Sequence, residues 1–371
     1  MKKFLIVILL FLVSCGVETP SPTLTPTPTA ISTPYPPPLS TSTAIFRVPM
    51  EVEEVYKFYF PLIYNSGDIK SIGNEFIKHN IDFGFAVNSG IRTNTVQREI
   101  VTYHAKVVTM ENDYKMKRTQ LVKGVFNFWS ADQIILFGNE NNIDVYGHGI
   151  SWALFNPSWV NNIPDSELAY ELSNHVRIVC SHYRSLSGMD VANEAYAGGV
   201  RPLGIESTSL SAGPWSPLGN DYINISFNSC RNVSSTKVFY NSFFPHYTDV
   251  TQAIQLLDSG LADGIGIQFH LSEGVDYQGL FNRAEYIIQE SRKRGTPVRF
   301  SEVGVWATTE QAQADIYRDV VRLALDNNDV VTDFIIWGTT DPSWRGNVTL
   351  FNSDGSPKQS AYAILDELAE D

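Results

Sequence analysis

Two glutamates in this chain lie where short apolar runs end, Glu194 in segment 188–195 (GMDVANEA) and Glu302 in segment 297–305 (PVRFSEVGV). Each run is typical of a buried strand, where a carboxylate is costly unless it is paired, hydrogen-bonded or protonated. Two such carboxylates at the ends of parallel strands suggest general acid/base or nucleophilic chemistry. Either glutamate taken singly fits a salt bridge or a helix cap equally well. The elements that carry them therefore decide between these interpretations.

Short apolar runs alternate with helical patterns from about residue 45 onward. The runs are hydrophobic almost throughout, which is typical of strands covered on both faces. They predict eight strands, at residues 81–88, 105–112, 144–152, 189–195, 236–244, 264–271, 298–306 and 332–338. Helical spacing predicts helices at residues 129–142, 165–184, 250–259, 277–294, 310–327 and 358–370. Strand–helix units in this number close most simply into a (β/α)8 TIM barrel, so the predicted fold class is α/β.

Seven of the eight predicted strands end in side chains that can hydrogen-bond or stack. In a barrel these ends meet at one rim, where active sites lie. A lone histidine or tryptophan at such a position is more often part of the core, so the set as a whole carries the prediction. Its members are Glu111, Asn112, His148, Trp152, Asn193, Glu194, Asn241, Gln268, His270, Glu302 and Trp337.

The charge and the cysteine content limit the possible partners. The 371 residues carry a formal net charge of −13, which argues against nucleic acid or an anionic membrane surface and suits a neutral polymer. The three cysteines have no metal-ligand spacing, so we expect no structural zinc. Cys180 and Cys230 are either free and buried or joined in an oxidising compartment.

The first 44 residues predict export and tethering. Lys2 and Lys3 precede an apolar run at residues 4–13 that is too short to span a membrane, which is typical of a signal peptide. Residues 12–15 (LVSC) resemble a bacterial lipobox, which implies cleavage before Cys15 and lipidation of its thiol; an ordinary secretion signal is the alternative. Residues 16–44 are almost entirely Thr, Pro and Ser and predict a disordered linker. We therefore expect a catalytic domain at 45–371, on a cell-surface lipoprotein or a secreted protein.

A series of motifs, in order along the chain, resembles glycoside hydrolase family 10. Segment 190–195 (DVANEA) is similar to the acid/base motif of the family, and segment 298–302 (VRFSE) is similar to its nucleophile motif. The other matching segments are 108–115 (VTMENDYK), 124–128 (GVFNF), 146–152 (YGHGISW), 266–271 (GIQFHL) and 337–344 (WGTTDPSW). The motif NEA alone is weak, whereas the ordered series is specific.

The resemblance implies a retaining endo-β-1,4-xylanase without a metal or organic cofactor. Glu194 would be the general acid/base and Glu302 the nucleophile, with carboxyl groups about 5–5.5 Å apart. Asn193 would bind the sugar 2-hydroxyl, and Gln268 and His270 would flank the nucleophile. The remaining implied substrate contacts are Glu111, Asn112, Lys115, His148, Trp152, Asn241, Trp337 and Trp344.

Four positions depart from the family pattern. Ala153 follows Trp152 where a His is usual, and Ser242 follows Asn241 where an Asp is common. Gly304 replaces an Asp that orients the histidine corresponding to His270, and Met189 replaces a common Trp. We expect hydrolysis to be retained and the pH dependence to be altered.

Three hypotheses follow. The first is a surface-tethered, monomeric xylanase. The second is another polysaccharidase on the same barrel, acting on a β-glucan, a β-mannan or a decorated xylan. The third is a surface glycan-binding protein that has lost turnover, against which the intact Glu194 and Glu302 argue.

Overall fold

The computed structural model describes residues 69–196 and 213–370. The predicted signal peptide, lipidated Cys15, linker 16–44 and domain start at residue 45 lie outside these residues. The strands are β1 Asp82–Val87, β2 Val107–Met110, β3 Asp144–Gly147, β4 Ser151–Trp152, β5 Gly188–Asn193, β6 Val238–Ser242, β7 Gly264–Ser272, β8 Val298–Trp306 and β9 Val331–Ile336. The α-helices are α1 Ile72–Phe76, α2 Thr95–His104, α3 Met116–Thr119, α4 Trp129–Asn141, α5 Asp165–His182, α6 Asp221–Arg231, α7 Tyr247–Asp258, α8 Gln278–Arg294, α9 Glu310–Leu325 and α10 Gln359–Glu370.

The strands form a closed parallel barrel. The order is β3-β2-β1-β9-β8-β7-β6-β5, and a β3–β5 pairing closes the circle. The two-residue β4 pairs with β5 beyond the end of β3. The predicted (β/α)8 TIM barrel is therefore confirmed. The predicted strand 144–152 is divided, because residues 148–150 leave the sheet and Gly149 has φ +73°.

Large rings fill the inside of the barrel. Tyr146 and Phe239 belong to a small buried cluster, with Val107 and Ile335, that is separate from the main core between strands and helices. Glycines face these rings because a side chain would collide with them: a Cβ on Gly188 would lie 2.6 Å from the Tyr146 ring. The interior is thus packed, and a ligand can enter only at the rim.

Two bulges redirect the strands that carry the glutamates. Along β8, Phe300 pairs with Ile267 and Glu302 pairs with Gln268, which leaves Ser301 as an extra residue. In a regular strand Phe300 and Glu302 would face the same side. The bulge allows Phe300 to pack outside the barrel against Phe269, at a ring distance of 4.7 Å, while Glu302 faces the rim. A similar shift lies between Asp190 and Ala192 of β5.

The helices begin and end near the positions that the sequence indicates. Gly295 (φ +64°) ends α8 just before β8, and the Thr309 side chain caps α9 just after it. All six predicted helices are present, and their ends differ from the predicted ones by at most three residues. The six predicted ranges do not include α1, α2, α3 and α6.

A disulfide joins two neighbouring helices of the outer layer. Cys180 on α5 and Cys230 on α6 are bonded, with a Cα–Cα distance of 5.4 Å. Both are fully buried, and Met189 Sδ lies within 3.7 Å of each sulfur. Met189, where the family commonly has Trp, therefore packs against this bridge. Among the described helices, none has the length and apolar character required to cross a bilayer.

Candidate active site

A cleft of about 290 Å³ opens at the carboxyl ends of the strands. The predicted site residues that line it are Glu111, Asn112, Lys115, His148, Trp152, Asn193, Glu194, Gln268, His270, Glu302, Trp337 and Trp344. Its other lining residues are Leu154, Phe155, Phe243, Leu280 and Arg345. Barrel closure thus brings together side chains that are far apart along the chain.

The two glutamates at the centre share a hydrogen-bond donor. Gln268 Nε2 donates to Glu194 Oε1 and to Glu302 Oε1, both at 2.9 Å. The two oxygens therefore cannot be farther apart than twice this distance. Trp152 Nε1 donates to the other oxygen of Glu194 at 3.1 Å. Both carboxyl groups are thus held by donors on neighbouring strands.

Glu302 has partners on both of its oxygens. Asn241 Nδ2 donates to Oε1 at 2.7 Å, and His270 Nε2 lies 3.0 Å from Oε2. Asn241 Nδ2 also lies 2.9 Å from Asn193 Oδ1, so one amide links the ends of β5 and β8. Asn241 itself is fully buried and does not line the cleft, in contrast to its expected substrate contact. Asn241 instead lies behind Glu302, the candidate nucleophile.

A buried chain of polar groups supports the floor of the cleft. His148 Nδ1 lies 2.8 Å from Asp190 Oδ2, and the Tyr146 hydroxyl donates to Asp190 Oδ1 at 2.8 Å. The Arg299 guanidinium stacks on the Tyr146 ring, 3.2 Å from its centre. The Asp190 carboxylate thus holds both the Tyr146 hydroxyl and one nitrogen of the His148 ring. The other ring nitrogen of His148, Nε2, lies 3.6 Å from Glu302 Oε1.

One wall of the cleft carries Glu111, Asn112 and Lys115. Lys115 Nζ donates to Asn112 Oδ1 at 3.1 Å, and Asn112 Nδ2 donates to Glu111 Oε1 at 3.1 Å. The ammonium also lies over the Trp152 ring, 4.7 Å from its centre. Such a row of amide, ammonium and carboxylate groups can bind several hydroxyls of a neutral sugar.

The two predicted tryptophans contribute unequally. Trp337 is 5% exposed and packs edge-on against His148, whereas Trp344 is 42% exposed. Arg345 stacks on Trp344 at 4.3 Å. Trp344 therefore offers the open apolar face, and Trp337 mainly forms the floor.

The pKa values of the two glutamates respond to different neighbouring groups. Burial raises the pKa of Glu194, and the negative charge of Glu302 raises it further. Burial also raises the pKa of Glu302, but His148, Lys115 and the hydrogen bond from Asn241 oppose that rise. Hydrogen bonds from Gln268 and Trp152 also oppose the rise at Glu194. The charge of Glu302 thus favours a proton on Glu194, whereas the charge of Lys115 favours ionised Glu302. Burial, with Arg345, lowers the pKa of His270 to about 3, so its imidazole is neutral and donates to Glu302 through Nε2.

The structure shows what surrounds the four residues that depart from the family pattern. Gly304 pairs with His270, and a Cβ there would lie 3.8 Å from His270 Nδ1 and 3.7 Å from the Val348 side chain. Ser242 donates to Asp249 at 2.6 Å. Ala153 lies buried beside the cleft residue Leu154, and Met189 contacts the disulfide.

Sequence reasoning missed five lining residues. Phe155 and Arg345 lie close to predicted aromatic residues, Trp152 and Trp344, so proximity to a motif was an available signal. Leu280, on α8, had none. Within residues 69–196 and 213–370, no group of three His, Cys, Asp or Glu side chains is arranged to hold a metal ion.

Comparison with known proteins agrees with this geometry. The family model described as glycosyl hydrolase family 10 matches residues 71–367. An endo-1,4-β-xylanase A of Caldicellulosiruptor saccharolyticus is 27% identical over 310 residues, covering 73% of this chain and 88% of the relative. An endo-1,4-β-xylanase A of Thermotoga maritima is 26% identical over 331 residues, covering 78% of this chain and 30% of the longer relative.

Solved structures share the fold. The crystal structure of an endo-1,4-β-xylanase from Caldicellulosiruptor owensensis superposes with a TM-score of 0.68 at 25% identity, covering 80% of this chain and 100% of that one. A Thermotoga petrophila xylanase in complex with xylobiose gives a TM-score of 0.72 at 24% identity, covering 84% of this chain and 99% of that one. With the family match extending over nearly the whole described barrel, the chain belongs to glycosyl hydrolase family 10.

Proposed function

We propose that this protein is a retaining endo-β-1,4-xylanase that hydrolyses internal bonds of xylan. The observation that carries the proposal is the shared donor of Glu194 and Glu302. The two Oε1 atoms can be no farther apart than twice 2.9 Å. This limit lies below the carboxyl separation of about 6.5–9.5 Å that inversion requires and is compatible with the separation of about 5–5.5 Å that double displacement uses.

In the first step, the Glu302 carboxylate attacks the anomeric carbon while Glu194 protonates the departing glycosidic oxygen. The C–O bond to the leaving sugar breaks as the bond to Glu302 forms. In the second step, Glu194 takes a proton from water, the water oxygen attacks the same carbon, and Glu302 is released as a carboxylate. The raised pKa of Glu194 suits both of its roles.

Substrate would lie along the cleft. Asn193 lines the cleft and would bind the 2-hydroxyl, where hydrogen bonding strengthens in the transition state. Glu111, Asn112, Lys115, His148 and Trp152 would hold sugars on one side of the scissile bond. Trp344 would stack against a sugar face.

The test is the stereochemistry of the first product. Hydrolysis of xylohexaose followed by NMR should release the β-anomer before mutarotation, and Glu194→Ala and Glu302→Ala should each lower kcat on xylan by about 10²-fold or more. Wild-type rates in both variants, or an initial α-anomer, would refute the assignment. Rates on xylan, β-glucan and β-mannan identify the preferred polymer, and binding without release of reducing sugar would favour the glycan-binding alternative.

We further propose that the protein is exported as a monomer and anchored through a lipid on Cys15, with residues 16–44 as the tether. Support comes from the lipobox-like segment 12–15 and the Thr/Pro/Ser composition. Labelled palmitate should enter the wild-type protein and not Cys15→Ala, which should be released to the medium. Equal release of both proteins would favour simple secretion.

A further inference from the structure

A buried carboxylate outside the cleft lies behind the acid/base candidate. Asp249, in the first turn of α7, has no exposed surface. Ser242 donates to its Oδ2 at 2.6 Å, and the Tyr240 hydroxyl donates to its Oδ1. Burial raises the pKa of Asp249 to about 6, which those two hydrogen bonds oppose. A buried carboxylate with a hydroxyl on each oxygen is a costly arrangement to maintain without a role.

The Tyr240 hydroxyl connects this carboxylate to the chain at Glu194. Its oxygen accepts a hydrogen bond from the Ala195 N–H at 3.2 Å. A phenol hydroxyl has one proton, and Tyr240 uses it in the hydrogen bond to Asp249. The lone pairs of the Tyr240 oxygen are therefore directed to other donors. Asp249 thereby fixes which way the hydroxyl faces.

The segment that Tyr240 holds is strained. Glu194 has φ +51°, a left-handed conformation that is disfavoured for any residue with a Cβ. The N–H of Glu194 donates to Asn241 O at 2.8 Å, and the N–H of Ala195 donates to Tyr240. Two successive amides are thus anchored on β6, and this anchoring aims the Glu194 carboxyl into the cleft.

We propose that Asp249 is a positioning residue for Glu194, acting through the Tyr240 hydroxyl and the Ala195 amide. The proposal rests on the proposed function, in which Glu194 protonates the leaving group. Asp249 touches no substrate. Asp249 orients the Tyr240 hydroxyl, and that hydroxyl holds the backbone amide next to Glu194.

The experiment uses aryl β-xylobiosides that differ in their need for an acid. A phenyl leaving group requires protonation, whereas 2,4-dinitrophenol departs without it, so kcat/KM for the phenyl substrate reports the placement of Glu194. Tyr240→Phe and Asp249→Ala should lower kcat/KM on the phenyl glycoside by about tenfold more than on the dinitrophenyl glycoside. Asp249→Asn, which keeps an oxygen for Tyr240, should restore most of the difference.

The matched control is Tyr183→Phe, which removes a buried phenol whose hydroxyl contacts Phe128 O outside the cleft. Its ratio between the two substrates should equal that of the wild type. If Asp249→Ala fails to fold, Tyr240→Phe decides, because it removes one oxygen atom. Equal losses on both substrates, or none, would overturn the positioning role. A wild type that hydrolyses no glycoside or polymer would overturn the proposed function and this proposal with it.

Discussion

Glu194 and Glu302 accept hydrogen bonds from the same nitrogen, Nε2 of Gln268, at 2.9 Å each. The two residues are 108 positions apart in the numbering, yet one side chain bridges their carboxyl groups. A single amide bridging two carboxylates also partly offsets their repulsion. The hydrogen bond from Gln268 also lowers the pKa of Glu194 and so opposes the effect of burial there.

Replacing Gln268 with Met should impair catalysis without unfolding the protein. A hydrogen bond to a charged group contributes about 1.5–3 kcal/mol, so we expect kcat/KM on xylan to fall about tenfold to a hundredfold. The basic limb of the pH profile should also move to higher pH, because the Gln268 hydrogen bond lowers the pKa of Glu194 and its loss lets that pKa rise. Gln313→Met is the control, since the Gln313 amide bonds backbone carbonyls at Val305 and Asn347. An unchanged rate in Gln268→Met would show that the bridge does not contribute.

Glu194→Gln should gain stability relative to the wild type as the pH rises. The pKa of Glu194 is raised by burial and by Glu302, so the folded state binds a proton more tightly than the unfolded state. The contribution of this glutamate to stability is therefore full at low pH and is lost as the pH rises through its folded pKa. Urea unfolding from pH 4 to pH 8 should show the difference between variant and wild type moving steadily in favour of the variant. A difference that is constant with pH would contradict the raised pKa.

Gly304→Asp should move the acidic limb of the pH profile to lower pH. The pKa of His270 is about 3 because of burial and Arg345, and an aspartate at position 304 would place a carboxylate near Nδ1. That charge would raise the pKa of His270, and the resulting cation would favour ionised Glu302. We expect kcat/KM to retain its value to about one pH unit lower. Gly304→Asn adds the same bulk without charge, and an equal shift in that variant would assign the effect to shape.

Loss of the Cys180–Cys230 bond should destabilise the barrel with little effect on chemistry. The bond closes a loop of 50 residues between α5 and α6. Its removal in Cys180→Ala/Cys230→Ala should cost about 2–4 kcal/mol of unfolding free energy, measured by urea titration. Reductant should lower the stability of the wild type and leave the double variant unchanged. A wild type that is indifferent to reductant would argue against the bond.

The sequence indicated the barrel because its apolar runs are continuous and regularly spaced. Strands such as β7 and β8 are buried along nearly their whole length, and this pattern predicts a parallel sheet covered by helices. The shorter α1 and α3, of 5 and 4 residues, left too few residues for a helical period to emerge. The division of 144–152 depended on the backbone at Gly149, which composition does not reveal.

The residue types at the rim were accessible from the chain alone, since Glu194, Glu302, Gln268 and His270 all follow apolar runs. Their mutual contacts were not. The extra residue at Ser301 reverses the facing of Glu302 relative to Phe300, and no alternation in the sequence marks it. The sequence predicts a substrate contact for Asn241, whereas strand register places its side chain against Glu302.

The sequence by itself determined which acids, amides and aromatic rings this barrel can present, because hydrophobic runs specify strands and strand ends specify a rim. Only the tertiary structure decided how they act on one another. Bulges, a left-handed Glu194 and the buried pair Asp249 and Tyr240 depend on the packing of strands that are distant in the chain. Such packing arises from contacts across the barrel, and local residue patterns do not predict these contacts.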